Sequence, residues 1–243
     1  MKKYLLTFLL IVLVFPVVAV SFESNSGMLT IRTQRVQHYR NTTKFTEPVL
    51  NAALTVPREY FVPENKQSLT YDEHPIPIGY GQTITNMWFV CHMTNLLELQ
   101  SNDKVLEIGS GSGYQASILY QITKSVYSIE IVAPLAEQAQ KRWSDLGYKG
   151  IKGKAADGYF GWEENAPFDK IIVTCAADHI PVYLLRQLKN NGIMVIPVGN
   201  PFDRQTLLVI KKDAEGKIST KRLNSCKFVP FTGKMLEKFE KKN

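Results

Sequence analysis

"VLEIGSGSGY", residues 105–114, decides the fold. Val105 to Ile108 have strand character and run straight into Gly109, Gly111 and Gly113; "YQASILYQIT" (114–123) then reads as a helix. Glycine in such a turn can take positive φ and lets a ligand come close to the backbone. Doubly wound α/β sheets hold their ligands at the carboxyl ends of strands, where this turn lies. Taken alone, a glycine-rich turn is equally an ordinary tight connection.

The downstream pattern repeats the alternation. "SVYSIE" (125–130) is a strand, and "PLAEQAQKRWSDLG" (134–147) is a helix with Pro134 at its start and Gly147 just past its end. A third candidate strand precedes "AADGY" (155–159). "FDKIIVT" (168–174), "GIMVIPVG" (192–199) and "QTLLVIKK" (205–212) are strands, "IPVYLLRQLK" (180–189) is a helix, and a final pair of strands is expected over 217–229. This order predicts an α/β, doubly wound, Rossmann-like fold with a mostly parallel sheet and helices on both faces.

Upstream, residues 22–45 are polar without a clear period and read as a linker followed by an irregular helix. "TEPVLNAALTVPREYFVP" (46–63) has Thr46 as a candidate N-cap, a proline in the first turn, and a short helix ending before Pro57. "PIPIGYGQTITNM" (75–87) holds two prolines, two glycines and no charge, which reads as a stiff loop; an apolar helix follows near 86–99.

The N-terminus carries Lys2 and Lys3, an apolar run from Leu5 to Val20 broken by Thr7 and Pro16, and Ala19 and Ser21 at signal-peptidase spacing. The run is shorter than the ~20 apolar residues a spanning helix needs. It is read as an export signal or membrane anchor, which places the domain in an exported, periplasmic or anchored location. Lys2 and Lys3 favour a cytoplasmic N-terminus, whereas Arg32, Arg35 and Arg40 after the run weigh against export. The expected division is 1–21 signal or anchor, 22–45 linker and helix, 46–233 main domain and 234–243 basic tail.

The formal charge of +7 comes largely from dispersed lysines, not interleaved with aromatics, so it reads as solvated surface and no nucleic-acid partner is expected. Cys91, Cys175 and Cys226 lie far apart, without metal-ligand spacing. Cys91 and Cys175 read as small core residues, and no metal site is expected.

Two acids give the glycine turn chemical direction. Glu130 ends the second strand, seventeen residues past Gly113, where a carboxylate can accept both hydroxyls of a ribose. The turn has GxGxG spacing rather than the dinucleotide GxGxxG, and Glu107 precedes it; an acid there repels a pyrophosphate and suits a cationic ligand. S-adenosylmethionine, with a sulfonium, an ammonium and a ribose, fits. Asp157, followed by Gly158, is placed to meet the adenine amino group. The pattern is that of a class I methyltransferase.

"VPREYFVP", "PIPIGYGQTIT", "VLEIGSGSGYQAS", "VYSIEIVAPLAEQA", "DGYFGW", "APFDKIIVTCAA", "IPVYLLRQLKNNGIMVIPVG" and "KFVPFTG" occur in that order. Together they resemble the protein-L-isoaspartate O-methyltransferase family, from about Val56 to Gly233. The resemblance implies an enzyme that takes S-adenosylmethionine and methylates the α-carboxyl of L-isoaspartyl residues in damaged proteins and peptides, and that is ordinarily cytoplasmic; separately, the chain is expected to act as a monomer. The resemblance also implies that the "PIGYGQTI" loop lies over the methyl donor and carries an active-site serine.

Thr85 stands at that serine position. Threonine keeps the hydroxyl and adds a methyl group that restricts its rotamer, so activity is expected with an altered rate. Thr83 supplies a second hydroxyl, and Thr232 matches a position near the donor. The family's proline near Ala177 is absent, which is expected to loosen that loop, and Asp178 and His179 are expected to be exposed. Two alternatives stay open: a methyltransferase for another carboxylate or a small molecule, and a non-catalytic binding protein on the same fold.

Overall fold

The computed structural model describes residues 26–237. The signal or anchor segment, and all of the basic tail beyond Glu237, lie outside the described residues. Among the described residues no helix is long and apolar enough to cross a membrane.

The expected sheet is present. Its strands are β3 (Lys104–Ile108), β4 (Ser125–Glu130), β5 (Lys152–Ala155), β6 (Phe168–Val173), β7 (Leu188–Gly199), β8 (Gln205–Lys212) and β9 (Ile218–Cys226). They lie in the order β5-β4-β3-β6-β7-β8-β9. The first five run parallel, and β8 and β9 add an antiparallel meander. After β3 the chain builds outward through β4 and β5, then returns to place β6 on the other side of β3. The connections leaving β3 and β6 therefore part at their carboxyl ends, which opens a crevice there.

Strand alternation divides the core between two faces. Val105, Ile172, Val195 and Val209 face one layer, while Leu106, Ile171, Met194 and Ile210 face the other. The first layer is covered by α1 (Ser26–Thr42), α2 (Glu47–Thr55), α3 (Met87–Leu96) and α4 (Tyr114–Ile122). Next in the chain come α5 (Ala133–Asp145) and α6 (Val182–Gln187), and α6 contributes Leu184 to the second layer.

Three local readings change. Residues 26–42 form a regular helix rather than an irregular one. Arg32, Val36 and Tyr39, at helical spacing, bury one stripe, and Arg32 pairs with buried Glu59 at 3.0 Å while the Tyr71 hydroxyl donates to the same carboxylate at 2.9 Å. The stripe begins with an arginine, so it does not register as an apolar period. The "PIGYGQTI" stretch is a hairpin, β1 (Ile76–Gly79) against β2 (Gln82–Ile84), rather than a plain loop. Gly79, Tyr80 and Gly81 all have positive φ and make the reversal. Finally, residues 217–229 contain one strand instead of two: β9 pairs along the length of β8, and the irregularity opposite Thr206–Leu208 is a bulge that does not divide it.

Candidate active site

At the carboxyl ends of β3, β4 and β6 the structure has a cleft of about 800 Å³, counting its open mouth. That is within the usual range for small-molecule sites. The glycine turn forms its floor. Gly109 and Gly111 have φ of 98° and 50°, and the turn is tied to β4 by the Gly109 and Ser110 amides, both donating to Ile129 O. A Cβ on Gly109 would stand 2.5 Å from Thr174 Oγ1, so only glycine leaves the loop in place.

Glu130 faces the cleft from the tip of β4. Its Oε2 accepts the Gly111 amide at 2.8 Å and its Oε1 accepts the Val132 amide at 2.9 Å. Each carboxylate oxygen keeps a further lone-pair site for an incoming donor. The acid thus shapes the loop and remains available to a ligand's hydroxyls.

Glu107 is placed differently from the sequence expectation. It is fully buried and does not line the cleft. On β3 it points to the helix side, where the Ser128 hydroxyl donates to Oε2, and the Ser128 and Ser110 hydroxyls meet at 2.5 Å. Burial pushes its carboxyl up to about 8, offset in part by the Ser128 hydrogen bond. Its link to the cleft is this chain through Ser128 to the loop residue Ser110, not a charge facing a cation.

Asp157 also stands off the cleft wall. Its two oxygens accept the Tyr159 and Lys234 amides at 2.9 and 2.8 Å, which fastens the turn after β5 to the C-terminal segment. Its neighbour Gly158 does line the cleft, packed on Ile108 so closely that a Cβ would come within 2.4 Å of that side chain. Gly113 has a purely structural setting at the start of α4, against Trp143.

The β1–β2 hairpin closes the opposite side. Thr83 and Thr85 both line the cleft, and Thr232 completes the wall from the C-terminal segment. The sequence-derived set therefore converges in large part: Thr83, Thr85, Gly109, Gly111, Glu130, Gly158 and Thr232 share one cavity. Among the described residues no group of acids, histidines and cysteines is arranged to hold a metal ion.

This arrangement agrees with similarity measured across the chain. Residues 32–236 match the family model for protein-L-isoaspartate(D-aspartate) O-methyltransferase. The chain belongs to that family. Protein-L-isoaspartate O-methyltransferase 2 of Syntrophobacter fumaroxidans is 50% identical over 185 residues, covering 76% of this chain and 75% of the relative. Protein-L-isoaspartate O-methyltransferase 1 of Nitrosospira multiformis is 49% identical over 185 residues, covering 76% and 78%. Among solved structures, a protein-L-isoaspartate O-methyltransferase superposes with a TM-score of 0.77 at 24% identity, over 88% of this chain and 70% of the other. A Plasmodium falciparum beta-aspartate methyltransferase structure in complex with S-adenosyl-L-homocysteine gives 0.70 at 23%, over 83% and 98%. The structural likenesses speak for the shared fold.

Sequence reasoning missed several residues at the site. Thr174 ends "FDKIIVT" as an unremarkable strand residue, yet its hydroxyl lies 2.9 Å from Ile108 O and 2.7 Å from Gly109 O and braces the turn. The carboxyl-end rule applied to β3 would have found it on β6. Cys175, half-buried and packed against the second core layer as expected, also lines the cleft. Ala177 does not loosen its loop: its amide donates to Pro197 O at 3.0 Å and its carbonyl accepts the Gly199 amide at 2.8 Å. A proline could not make the first of these bonds. His179 is exposed as expected, whereas the Asp178 side chain is mostly covered and pairs with it.

Proposed function

We propose that this chain is an S-adenosylmethionine-dependent carboxyl methyltransferase that methylates the α-carboxyl of L-isoaspartyl residues in damaged proteins and peptides. The observation that carries the reading is the convergence of the Thr83 and Thr85 hydroxyls with Glu130 and the glycine turn on one cleft. The residues present suit the donor. Glu130 offers acceptors to ribose hydroxyls, Gly109 and Gly111 let the ligand approach the backbone, Ile108 and Gly158 give a close apolar wall, and Thr232 bounds the cleft. Bound S-adenosylmethionine supplies an electrophilic methyl group.

The chain's own contribution is positional. A carboxyl with an ordinary pKa near 4 arrives ionised at neutral pH, so no general base is needed. Thr85, with Thr83 beside it, orients the carboxylate by donating a hydrogen bond, and the hairpin holds it in place. The resulting methyl ester carries a methoxy group that leaves more readily than the oxygen of a carboxylate. The backbone amide nitrogen of the following residue attacks the ester carbonyl and expels methanol, and water can reopen the resulting succinimide as normal aspartate, which makes the reaction a repair.

The test is methyl transfer from labelled S-adenosylmethionine to paired peptides, one with L-isoaspartate and one with L-aspartate. Base-labile label on the isoaspartyl peptide alone supports the reading. Donor binding without transfer to either peptide would replace it with a methyltransferase for another carboxylate.

The N-terminal segment supports a second proposal, that the enzyme is exported to the periplasm or anchored in the membrane by residues 1–21. Lys2, Lys3 and the apolar run from Leu5 to Val20 are its basis. Recovery of the uncleaved chain in a soluble cytoplasmic fraction would overturn it. A single peak at the mass of one chain in light scattering would support action as a monomer.

A further inference from the structure

A second groove, of about 530 Å³ counting its open mouth, adjoins the cleft and shares Thr83, Thr85 and Phe228 with it. Its apolar side is Pro75, Phe89 and Phe228, the two phenylalanine rings meeting edge to face at 5.5 Å, and the rest of its wall is polar. Two of its polar side chains, Asn86 and Cys226, are already engaged. The Asn86 side chain accepts the Phe89 amide and donates to Glu73 O, and the Cys226 thiol points to Gln205 O. The Glu73 carboxylate is paired with Arg35 at 2.9 Å.

Lys227 is different. It lines the groove, is exposed, and among the described residues its ammonium has no hydrogen bond or ion pair. Among the described residues it is also the single charged side chain lining this groove. We infer that the groove takes the substrate segment flanking the isoaspartyl residue, and that Lys227 selects flanks bearing a carboxylate. The inference rests on the proposed function, which puts the reacting carboxyl at the threonine end. Lys227 then meets a neighbouring residue of the substrate rather than the reacting group. An ammonium beside an apolar wall attracts a carboxylate more strongly than one in open water, because part of the intervening medium is protein.

The test uses the full chain and three isoaspartyl peptides, identical except that the residues flanking isoaspartate are Glu, Gln or Lys. The wild type is expected to show a KM roughly two- to fivefold lower for the Glu peptide than for the Gln peptide, as a partly exposed ion pair gives. The Lys peptide should have the highest KM. The preference should fade at high salt. It should disappear in Lys227→Gln, invert in Lys227→Glu and persist in Lys227→Arg. Each ratio is internal to one variant, so a variant with reduced activity still reports. Equal KM values in the wild type, or an unchanged preference in Lys227→Gln, would overturn the inference while leaving the methyltransferase reading intact. Absence of transfer to all three peptides by donor-bound wild type would overturn both.

Discussion

The Glu130 carboxylate accepts the Gly111 amide at 2.8 Å, so one acid at the tip of β4 both holds the glycine turn and faces the cleft. Removing it loses a charged hydrogen bond to the loop along with those it would offer a ribose. Hydrogen bonds to charged groups contribute about 1.5–3 kcal/mol each. Glu130→Ala is therefore expected to weaken S-adenosylhomocysteine binding by about 100-fold or more. Glu130→Gln, which retains one oxygen acceptor, should fall between. Isothermal titration calorimetry checks both, and equal affinity in all three proteins would remove Glu130 from the ligand site.

Thr85 lines both the cleft and the adjoining groove. If its hydroxyl orients the reacting carboxylate, Thr85→Ala should lower kcat by about 10- to 100-fold, the worth of one hydrogen bond to a charged group. Donor affinity should change little. Thr85→Ser keeps the donor and sheds the methyl group, so it should retain most of the rate. Steady-state kinetics on an isoaspartyl peptide decide the matter; an alanine variant as active as the serine variant would exclude the role.

What was legible in the sequence was what local pattern controls. The strand–turn–helix at Gly109 to Gly113 and the acid at Glu130 depend on neighbours in the chain, so the fold and the mouth of the site could be read directly. Glu107 was legible as an acid beside the turn, but its side chain faces the helix layer and Ser128, and only the folded pleat shows that. Thr174 and Ser128 carry no signature of their own, because their roles arise from pairing β3 with β6 and β4. The helix at 26–42 reads as irregular in the sequence because its buried stripe starts with Arg32, whose burial depends on Glu59, distant in the chain.

Gly113 begins α4 with φ of 90°, and a Cβ there would stand 2.7 Å from Trp143 Nε1, whose N–H donates to Gly113 O at 2.9 Å. Gly113→Ala combines left-handed strain with displacement of a buried indole, at a cost of about 2–4 kcal/mol. Gly147 has φ of 79° with nothing near its missing Cβ, so Gly147→Ala should cost only the strain, about 1–2 kcal/mol. Urea unfolding of the two variants separates the terms. Equal losses would mean that Trp143 moves aside freely.

Burial holds the Glu107 carboxyl at about 8 against an ordinary value of 4.5. Below pH about 4.5 the group is protonated whether the chain is folded or not, and it contributes no pH dependence. Between about 4.5 and 8 only the unfolded chain gives up the proton, so stability falls as pH rises, by an amount on the order of a few kcal/mol. Above about 8 both states are ionised and the loss is complete. Glu107→Gln preserves an oxygen acceptor for the Ser128 hydroxyl and cannot ionise. The variant should therefore gain stability over the wild type progressively from pH 5 to pH 8, with the smallest difference at the acid end. Urea midpoints at pH 5, 6.5 and 8 measure this. A difference that stays constant across the three would show that Glu107 titrates at its ordinary pKa in the folded protein.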